Sequence, residues 1–299
     1  ILFWFNLIIG FFVLLQKWKI FLKEKFIGVK YLVLNVDSKR RYYQIQIILM
    51  FDDYLRYVTA LYRLSFVVGL GSLFIAKKYL PDFLEYGKTL KEHLELKESP
   101  MLDKIMHFTV PKSYFSHFYI ISTILSTITV SHYYQYSITW MLLFHSIRRL
   151  YETLYISKYS NKSRMNWSHY AVGLWFYSVI HIILNIQLYS NEISTTFNRA
   201  AFYLFIVASV EQFSSHLILS KLVKYSLPTD GLFKYVCCPH YLCEIGIYAS
   251  LVVYNAEFLF PLVWVIASLS LSAMETRNYY KTKFKDETVP QYAIIPFLL

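Results

Sequence analysis

The chain has 299 residues, of which 56% are hydrophobic, 19% aromatic and only 16% charged. This composition excludes an ordinary soluble globular protein and is typical of an integral membrane protein. The formal net charge of +11 does not indicate a nucleic-acid partner, because the basic residues form short clusters between apolar runs and do not line one polar face.

The first 49 residues differ from the rest in charge, since eight basic residues stand against two acidic ones, and the first methionine is Met50. Their apolar run, residues 1–15, is shorter than the roughly 20 residues that a membrane span needs. We expect residues 1–49 to be an upstream or N-terminal extension that is absent from the mature protein. Residues 50–299 are then expected to form one membrane-embedded domain.

Seven apolar segments after Met50 are long enough, or nearly long enough, to cross a bilayer. Only residues 255–257 separate the last two, which predicts a tight helical hairpin. The pattern predicts an all-α integral membrane protein with about seven transmembrane helices. The segments are 57–76, 114–134, 136–157, 167–189, 200–220, 241–255 and 258–275.

Lysine and arginine are concentrated in the connections on one side of these segments, whereas the connections on the other side offer only Arg199. The positive-inside rule therefore places the basic loops and the C-terminus in the cytosol. Two glycosylation sequons, at Asn161 and Asn166, fall in one of these loops, so we expect both to stay unmodified.

The third segment contains "HSIRRLYE", which places His145, Arg148, Arg149 and Glu152 within two helical turns. Their spacings of three and four residues predict one polar stripe on a helix. Ionisable groups at membrane depth are costly unless they pair or line a wet cavity. One glutamate does not neutralise two arginines and a histidine, which favours an anion-binding cavity open to the cytosol. The alternative is a self-contained Arg–Glu pair that fixes helix packing.

The stretch "CCPHYLCEIGIY" begins at Cys237 and is the second dense group of polar residues. Three cysteines with His240 and Glu244 are compatible with zinc, but adjacent cysteines do not easily share one tetrahedral ion. We therefore predict no metal and favour the start of a membrane helix, with His240 and Glu244 one turn apart. The pair Gly69 and Gly71 lacks the third glycine of a dinucleotide fingerprint, so any nucleotide must bind without a Rossmann fold.

Four blocks in this order carry a family resemblance: "VPKSYFSHFYIIS", "HSIRRLYETLYIS", "GLFKYVCCPHYLCEI" and the ending "YYKTKF…AIIPFLL". They resemble the polyprenol reductase branch of the steroid 5-alpha-reductase family, and most closely its yeast members. The resemblance covers residues 50–299.

The resemblance implies a seven-helix, multi-pass enzyme of the endoplasmic reticulum membrane that takes NADPH from the cytosolic side. It also implies a polyprenyl lipid substrate whose α-isoprene unit is saturated on the way to dolichol, the carrier for protein N-glycosylation. Hydride addition needs a group that takes up the charge, and an unsaturated aldehyde has one whereas an allylic alcohol does not. We therefore favour polyprenal over polyprenol as the direct substrate. The resemblance identifies no protein partner.

The family's His-Tyr-x-x-Arg pattern reads here from His145 to Arg149, with Ser146 in the place of the Tyr that polarises the substrate carbonyl. The carbonyl donor is therefore open among His145, Ser146 and Tyr151. For a further family Glu on an earlier helix, Glu85 is a candidate. The resemblance implies cofactor contacts from Arg148, Arg149, His240, Glu244, Arg277 and Tyr280.

Two other functions fit the composition. Membrane methyltransferases acting on isoprenylcysteine or phospholipids have a similar helical core but bind S-adenosylmethionine, which carries no 2′-phosphate for the surplus arginines to contact. A non-enzymatic membrane scaffold would tolerate the loss of Arg149 or Glu244 without losing its function.

Overall fold

The computed structural model describes residues 38–79, 108–160, 163–222, 226–285 and 288–295, with the backbone alone for 38–48. This described part contains seven α-helices, each of which overlaps one of the seven predicted segments, and they confirm the all-α class. They are α1 (Ser38–Tyr79), α2 (Phe115–Tyr133), α3 (Ser137–Tyr151), α4 (Trp167–Tyr189), α5 (Arg199–Lys221), α6 (Pro239–Val252) and α7 (Leu259–Lys283).

Four of the described helices are long and apolar enough to cross a membrane: Leu49–Tyr79, Trp167–Tyr189, Arg199–Lys221 and Ala256–Lys283. They confirm a multi-pass membrane protein. Helix α6 has only 14 residues, which at about 1.5 Å per residue is shorter than a hydrocarbon core of about 30 Å. Seven complete crossings therefore stay a prediction.

The chain divides into two compact units. The smaller unit combines the α1 residues up to Ser65 with Ile182–Glu192, where Leu55 and Ile186 are buried and Phe51 packs edge-on against Tyr189. The expected boundary at residue 50 falls inside helix α1. Residues 1–37 lie outside the described residues, so the predicted extension stays a prediction.

The larger unit comprises Phe66–His181 and Ile193 onward, and it holds every described residue of the predicted site. Within it, α2 packs on α3, α5 on α6, and α6 on α7. The connections 134–136 and 253–258 are short, so α2 with α3 and α6 with α7 form two helical hairpins. In each hairpin, residues that are far apart in the sequence therefore lie at the same height along the two paired helices.

Two glycines of α1 differ in the space around them. A Cβ at Gly69 would lie 2.7 Å from the Trp264 ring, whereas nothing lies within 4 Å of a Cβ at Gly71. Trp264 is itself held by aromatic contacts with Phe66 and Trp175. The close approach of α1 to the Trp264 ring therefore requires glycine at position 69.

We expect Gly69→Ala to lower the melting temperature in detergent, because overpacking a fixed ring costs about 1–3 kcal/mol. Gly71→Ala is the matched control on the same helix, and it is expected to leave the melting temperature unchanged or to raise it. Equal shifts for the two variants would contradict the packing of Gly69 against Trp264.

One short pairing of two strands was not predicted from the sequence. Strand β1 (Thr109–Pro111) pairs antiparallel with strand β2 (Arg164–Asn166), just before α2 and α4 begin. Strands of three residues are too short to give a recognisable alternation of apolar and polar side chains. Asn166 is 2% exposed and its Oδ1 accepts from the Ser168 N–H at 2.9 Å, whereas Asn161 lies outside the described residues.

The C-terminal segment 288–295 runs beside the residues that precede α6. The Cys237 N–H donates to the Tyr292 carbonyl at 3.0 Å, and the Cys238 N–H donates to the Ala293 carbonyl at 2.9 Å. Ala293 and Ile294 are buried in the same apolar cluster as the two cysteines. The segment thus fixes the start of α6, which carries His240 and Glu244.

Candidate active site

Three helices place polar side chains at one level of the larger unit. The second half of α3 supplies His145, Arg148 and Arg149, and a π-helical turn, Glu152–Ile156, continues it directly. π-Helical turns are rare and frequently lie at functional sites. The other contributors are Gln212 and His216 on α5 and His240 and Glu244 on α6. These residues are called the polar cluster below.

Glu152 is the centre of the polar cluster and is fully buried. One of its carboxylate oxygens accepts from Arg148 and the other from Arg149. The second oxygen also lies 2.7 Å from Nδ1 of His216 on α5. The structure therefore contains the predicted polar stripe, and it adds a partner from another helix.

Arg149 is held on its other side by Tyr119 of α2. Its Nε and Nη2 donate to the Tyr119 hydroxyl at 3.2 and 2.9 Å, and the guanidinium carbon lies 4.8 Å from the ring centre.

In the loop after the π-helical turn, burial raises the pKa of Tyr159, so this phenol stays protonated at neutral pH.

A second carboxylate balances the charge of the polar cluster. Gln212 accepts from Arg148 Nη2 at 2.6 Å and donates to Glu244 Oε2 at 2.6 Å. With neutral histidines, the two arginines and the two glutamates sum to zero. The surplus positive charge inferred from α3 alone is therefore not a property of the assembled cluster, because Glu244 comes from a helix distant in sequence.

His145 is 1% exposed, and its two ring nitrogens have different surroundings. Arg148 Nη2 lies 3.2 Å from Nδ1. An arginine only donates, so Nδ1 accepts and a neutral ring carries its proton on Nε2. Nε2 has no hydrogen-bond partner among the described residues, and Glu244 Oε1 is 3.8 Å away, beyond hydrogen-bond distance. His145 therefore presents an unused donor inside the protein.

The hydroxyl of Ser146 is already engaged. It donates to the Leu142 carbonyl at 2.7 Å and lies 2.7 Å from the hydroxyl of Ser122, which in turn lies 2.9 Å from His181 Nε2. Tyr151 is 50% exposed and its ring packs beside Tyr155. Of the three predicted carbonyl donors, the structure brings only His145 into the polar cluster with a donor to spare.

Of the remaining predicted cofactor residues, His240 lies in the polar cluster, whereas Arg277 and Tyr280 lie on α7. The His240 carbonyl accepts from Gln212 Nε2 at 3.1 Å, and its ring lies 5.5 Å from the His216 ring. Tyr280 is buried with Cys237 and Cys238, in the apolar cluster that also includes the C-terminal segment. Arg277 is half-buried on α7, and its Nε has no hydrogen-bond partner in the described part of the chain. Glu85 lies outside the described residues.

The three cysteines are buried and form no disulfide. Among the described residues, no group of three or more His, Cys, Asp or Glu side chains is arranged to hold a metal ion.

Gln212 and His216 are polar residues within a predicted membrane segment, but neither they nor Tyr119 are among the site residues predicted from the sequence. Gln212 and His216 are four residues apart on an otherwise apolar helix, so they share one face. That spacing was the available signal, because polar side chains within a membrane helix usually face the protein interior. Tyr119 gave no such signal, since aromatic residues are frequent throughout the chain.

Comparison with known proteins shows which proteins the chain is similar to. Residues 165–299 match the family described as 3-oxo-5-alpha-steroid 4-dehydrogenase. The chain is 56% identical to a polyprenal reductase of Saccharomyces cerevisiae over 83% of this chain and 98% of that protein. Polyprenal reductases of Ailuropoda melanoleuca and Homo sapiens are each 27% identical to it, over 73% of this chain and 85% of theirs.

Proposed function

The chain belongs to the steroid 5-alpha-reductase family, among its polyprenal reductases, and we propose that it reduces the α-isoprene double bond of a polyprenal with NADPH. The product is the corresponding dolichal, the precursor of dolichol for protein N-glycosylation. The names of the relatives support polyprenal as the substrate, and the family resemblance supports NADPH as the cofactor.

The observation that carries the proposal is the unused Nε2–H of His145 beside a charge-balanced cluster in a membrane protein. A buried donor without an acceptor costs free energy, so its retention is best explained by a ligand that accepts from it. The carbonyl oxygen of a polyprenal is such an acceptor. The long isoprenoid chain of the same substrate suits the apolar surroundings of the helices.

The residues present fit a nicotinamide cofactor. Arg277 contributes a cation whose Nε has no partner in the described chain, and the Nε of the buried Arg148 is a second unpartnered donor. In our proposal Arg277 holds the 2′-phosphate that distinguishes NADPH from NADH, because a guanidinium matches phosphate geometry well. Arg148, Arg149, His240 and Glu244 line the nicotinamide end, whereas Tyr280 supports α7 from the apolar cluster.

The chemistry requires a two-electron reduction and one proton. When bound beside this cluster, the nicotinamide would supply the hydride that adds to the β-carbon of the enal. His145 donates from Nε2 to the aldehyde oxygen and stabilises the negative charge that develops there as the double bond shifts. A proton from the medium then adds at the α-carbon and restores the aldehyde. Arg148 keeps His145 in the required tautomer by occupying Nδ1.

We also propose that the protein resides in the endoplasmic reticulum membrane with its C-terminus and the basic loops in the cytosol. The polar cluster lies on the last turns of α3, the second half of α5 and the first turns of α6, next to those loops. A cytosolic nicotinamide cofactor therefore has a short path to His145 in this orientation.

The function is tested with membranes that contain the chain, supplied with NADPH and with either polyprenal or polyprenol. We expect polyprenal to gain two hydrogens by mass and polyprenol to remain unchanged. Membranes without the chain are the control. A gain with polyprenol alone would contradict the conjugation argument, and no gain with either lipid would contradict the reductase function.

A further inference from the structure

We propose that Gln212 is a positioning residue that keeps the Glu244 carboxylate from capturing the His145 donor. The inference rests on the proposed function, because it concerns the donor that the substrate carbonyl uses. Gln212 itself touches neither substrate nor reacting atoms in this account.

Three hydrogen bonds fix the side-chain amide of Gln212, which is 2% exposed. Its oxygen accepts from Arg148, and its nitrogen donates to Glu244 Oε2 at 2.6 Å and to the His240 carbonyl at 3.1 Å. Arginine only donates, whereas a carboxylate and a carbonyl only accept. The amide therefore has one possible orientation, and it joins α3, α5 and α6.

The consequence concerns the other carboxylate oxygen. Oε1 of Glu244 lies 3.8 Å from His145 Nε2, about an ångström beyond a charge-assisted hydrogen bond. Gln212 pulls on Oε2 and so holds the carboxylate at this distance. Without that restraint, a small rotation would let Glu244 accept from His145, and the donor would then be engaged elsewhere when negative charge develops on the aldehyde oxygen.

Gln212→Glu tests this idea with no change in side-chain volume. Carboxylates at positions 212 and 244 repel when both are charged, which drives Glu244 toward His145. When the pH falls, one shared proton restores the bond between the two side chains. Among the described residues, the ionisable groups around the pair include His145, Arg148 and Arg149 on α3, Tyr177 on α4, and His240 and Cys243 on α6.

The experiment compares wild type, Gln212→Glu and Glu211→Gln in the polyprenal assay across pH. Glu211→Gln is the control, because it changes the charge of the neighbouring exposed residue on the same helix. For Gln212→Glu we expect kcat to be about 10- to 100-fold below wild type near pH 8 and to recover as the pH is lowered, with KM for polyprenal little changed. Glu211→Gln is expected to keep the wild-type profile.

Melting temperatures of the same purified proteins, measured across the same pH range, form the second arm. The gap between Gln212→Glu and wild type is expected to close on acidification. A loss of kcat that is equal at every pH, or a rise in KM alone, would overturn the positioning role. A wild-type chain without reductase activity would overturn the proposed function and the positioning role together, while an acid-dependent melting gap would still report the Gln212–Glu244 contact.

Discussion

Glu152→Gln is expected to lower the free energy of unfolding by about 3–5 kcal/mol, because it leaves two buried guanidinium groups without their carboxylate. Glu152 is the acceptor for Arg148 and Arg149 and also lies against His216, and it has no exposed surface. The size of the effect comes from the arginines that remain, since a neutral amide does not compensate their charge. We expect little monodisperse protein after detergent extraction and a strongly lowered melting temperature.

Glu275→Gln is the matched control for this prediction. Glu275 pairs with Lys77, but both side chains are about two-fifths exposed, at 39% and 41%. A surface ion pair is worth about 0–1 kcal/mol, so the melting temperature should hardly change. Similar decreases in melting temperature for Glu152→Gln and Glu275→Gln would contradict the prediction that the burial of Glu152 makes its ion pairs important for stability.

His145→Phe is expected to reduce kcat by about 100- to 1,000-fold, the range found when one oxyanion donor is removed. Phenylalanine keeps a ring of similar size, and Arg148 retains both Glu152 and Gln212 as acceptors. The protein should therefore stay folded, which a melting curve checks. His145→Gln offers an amide donor and is expected to retain more activity than His145→Phe.

Two further variants separate His145 from the other predicted donors. Ser146→Ala removes a hydroxyl that already donates to the Leu142 carbonyl, and Tyr151→Phe changes a half-exposed side chain. Both are expected to keep most of the reductase activity. A large loss of kcat in either variant, together with an active His145→Phe, would reassign the carbonyl donor.

The sequence predicted the parts of the site that depend on local spacing. Arg148, Arg149 and Glu152 lie three and four residues apart, so helical geometry alone brings them together. The seven helical segments were predicted for a similar reason, since long apolar runs signal buried or lipid-facing helices. The ends of the helices differ more from the predicted ones. Helix α6 ends at Val252, and α3 ends at Tyr151, where the π-helical turn follows.

Spacing along the chain does not indicate which distant segments contact one another. Gln212 reaches Arg148, and Glu244 reaches Gln212, only because α3, α5 and α6 come together in the fold, and no spacing along the chain encodes that arrangement. The same holds for the C-terminal segment, whose pairing with residues 236–238 fixes the start of α6. The charges of α3 and the turn after it therefore give a positive surplus, whereas the three assembled helices balance it with Glu244.

The choice among His145, Ser146 and Tyr151 also needed the structure. All three are near the family's expected position, but whether a hydroxyl or ring nitrogen is available depends on which neighbours already use it. Ser146 is bonded within its own helix and to α2, whereas His145 Nε2 is left over.

The addition of hydride at the β-carbon and of a proton at the α-carbon is tested by following the two added hydrogens separately. The chain is given polyprenal with NADPH that carries deuterium at the transferable position of the nicotinamide, and then ordinary NADPH in deuterium oxide, and the product is examined by NMR. We expect cofactor deuterium at the β-carbon and solvent deuterium at the α-carbon, with the aldehyde intact. Cofactor deuterium at the aldehyde carbon, or none in the lipid, would contradict this expectation.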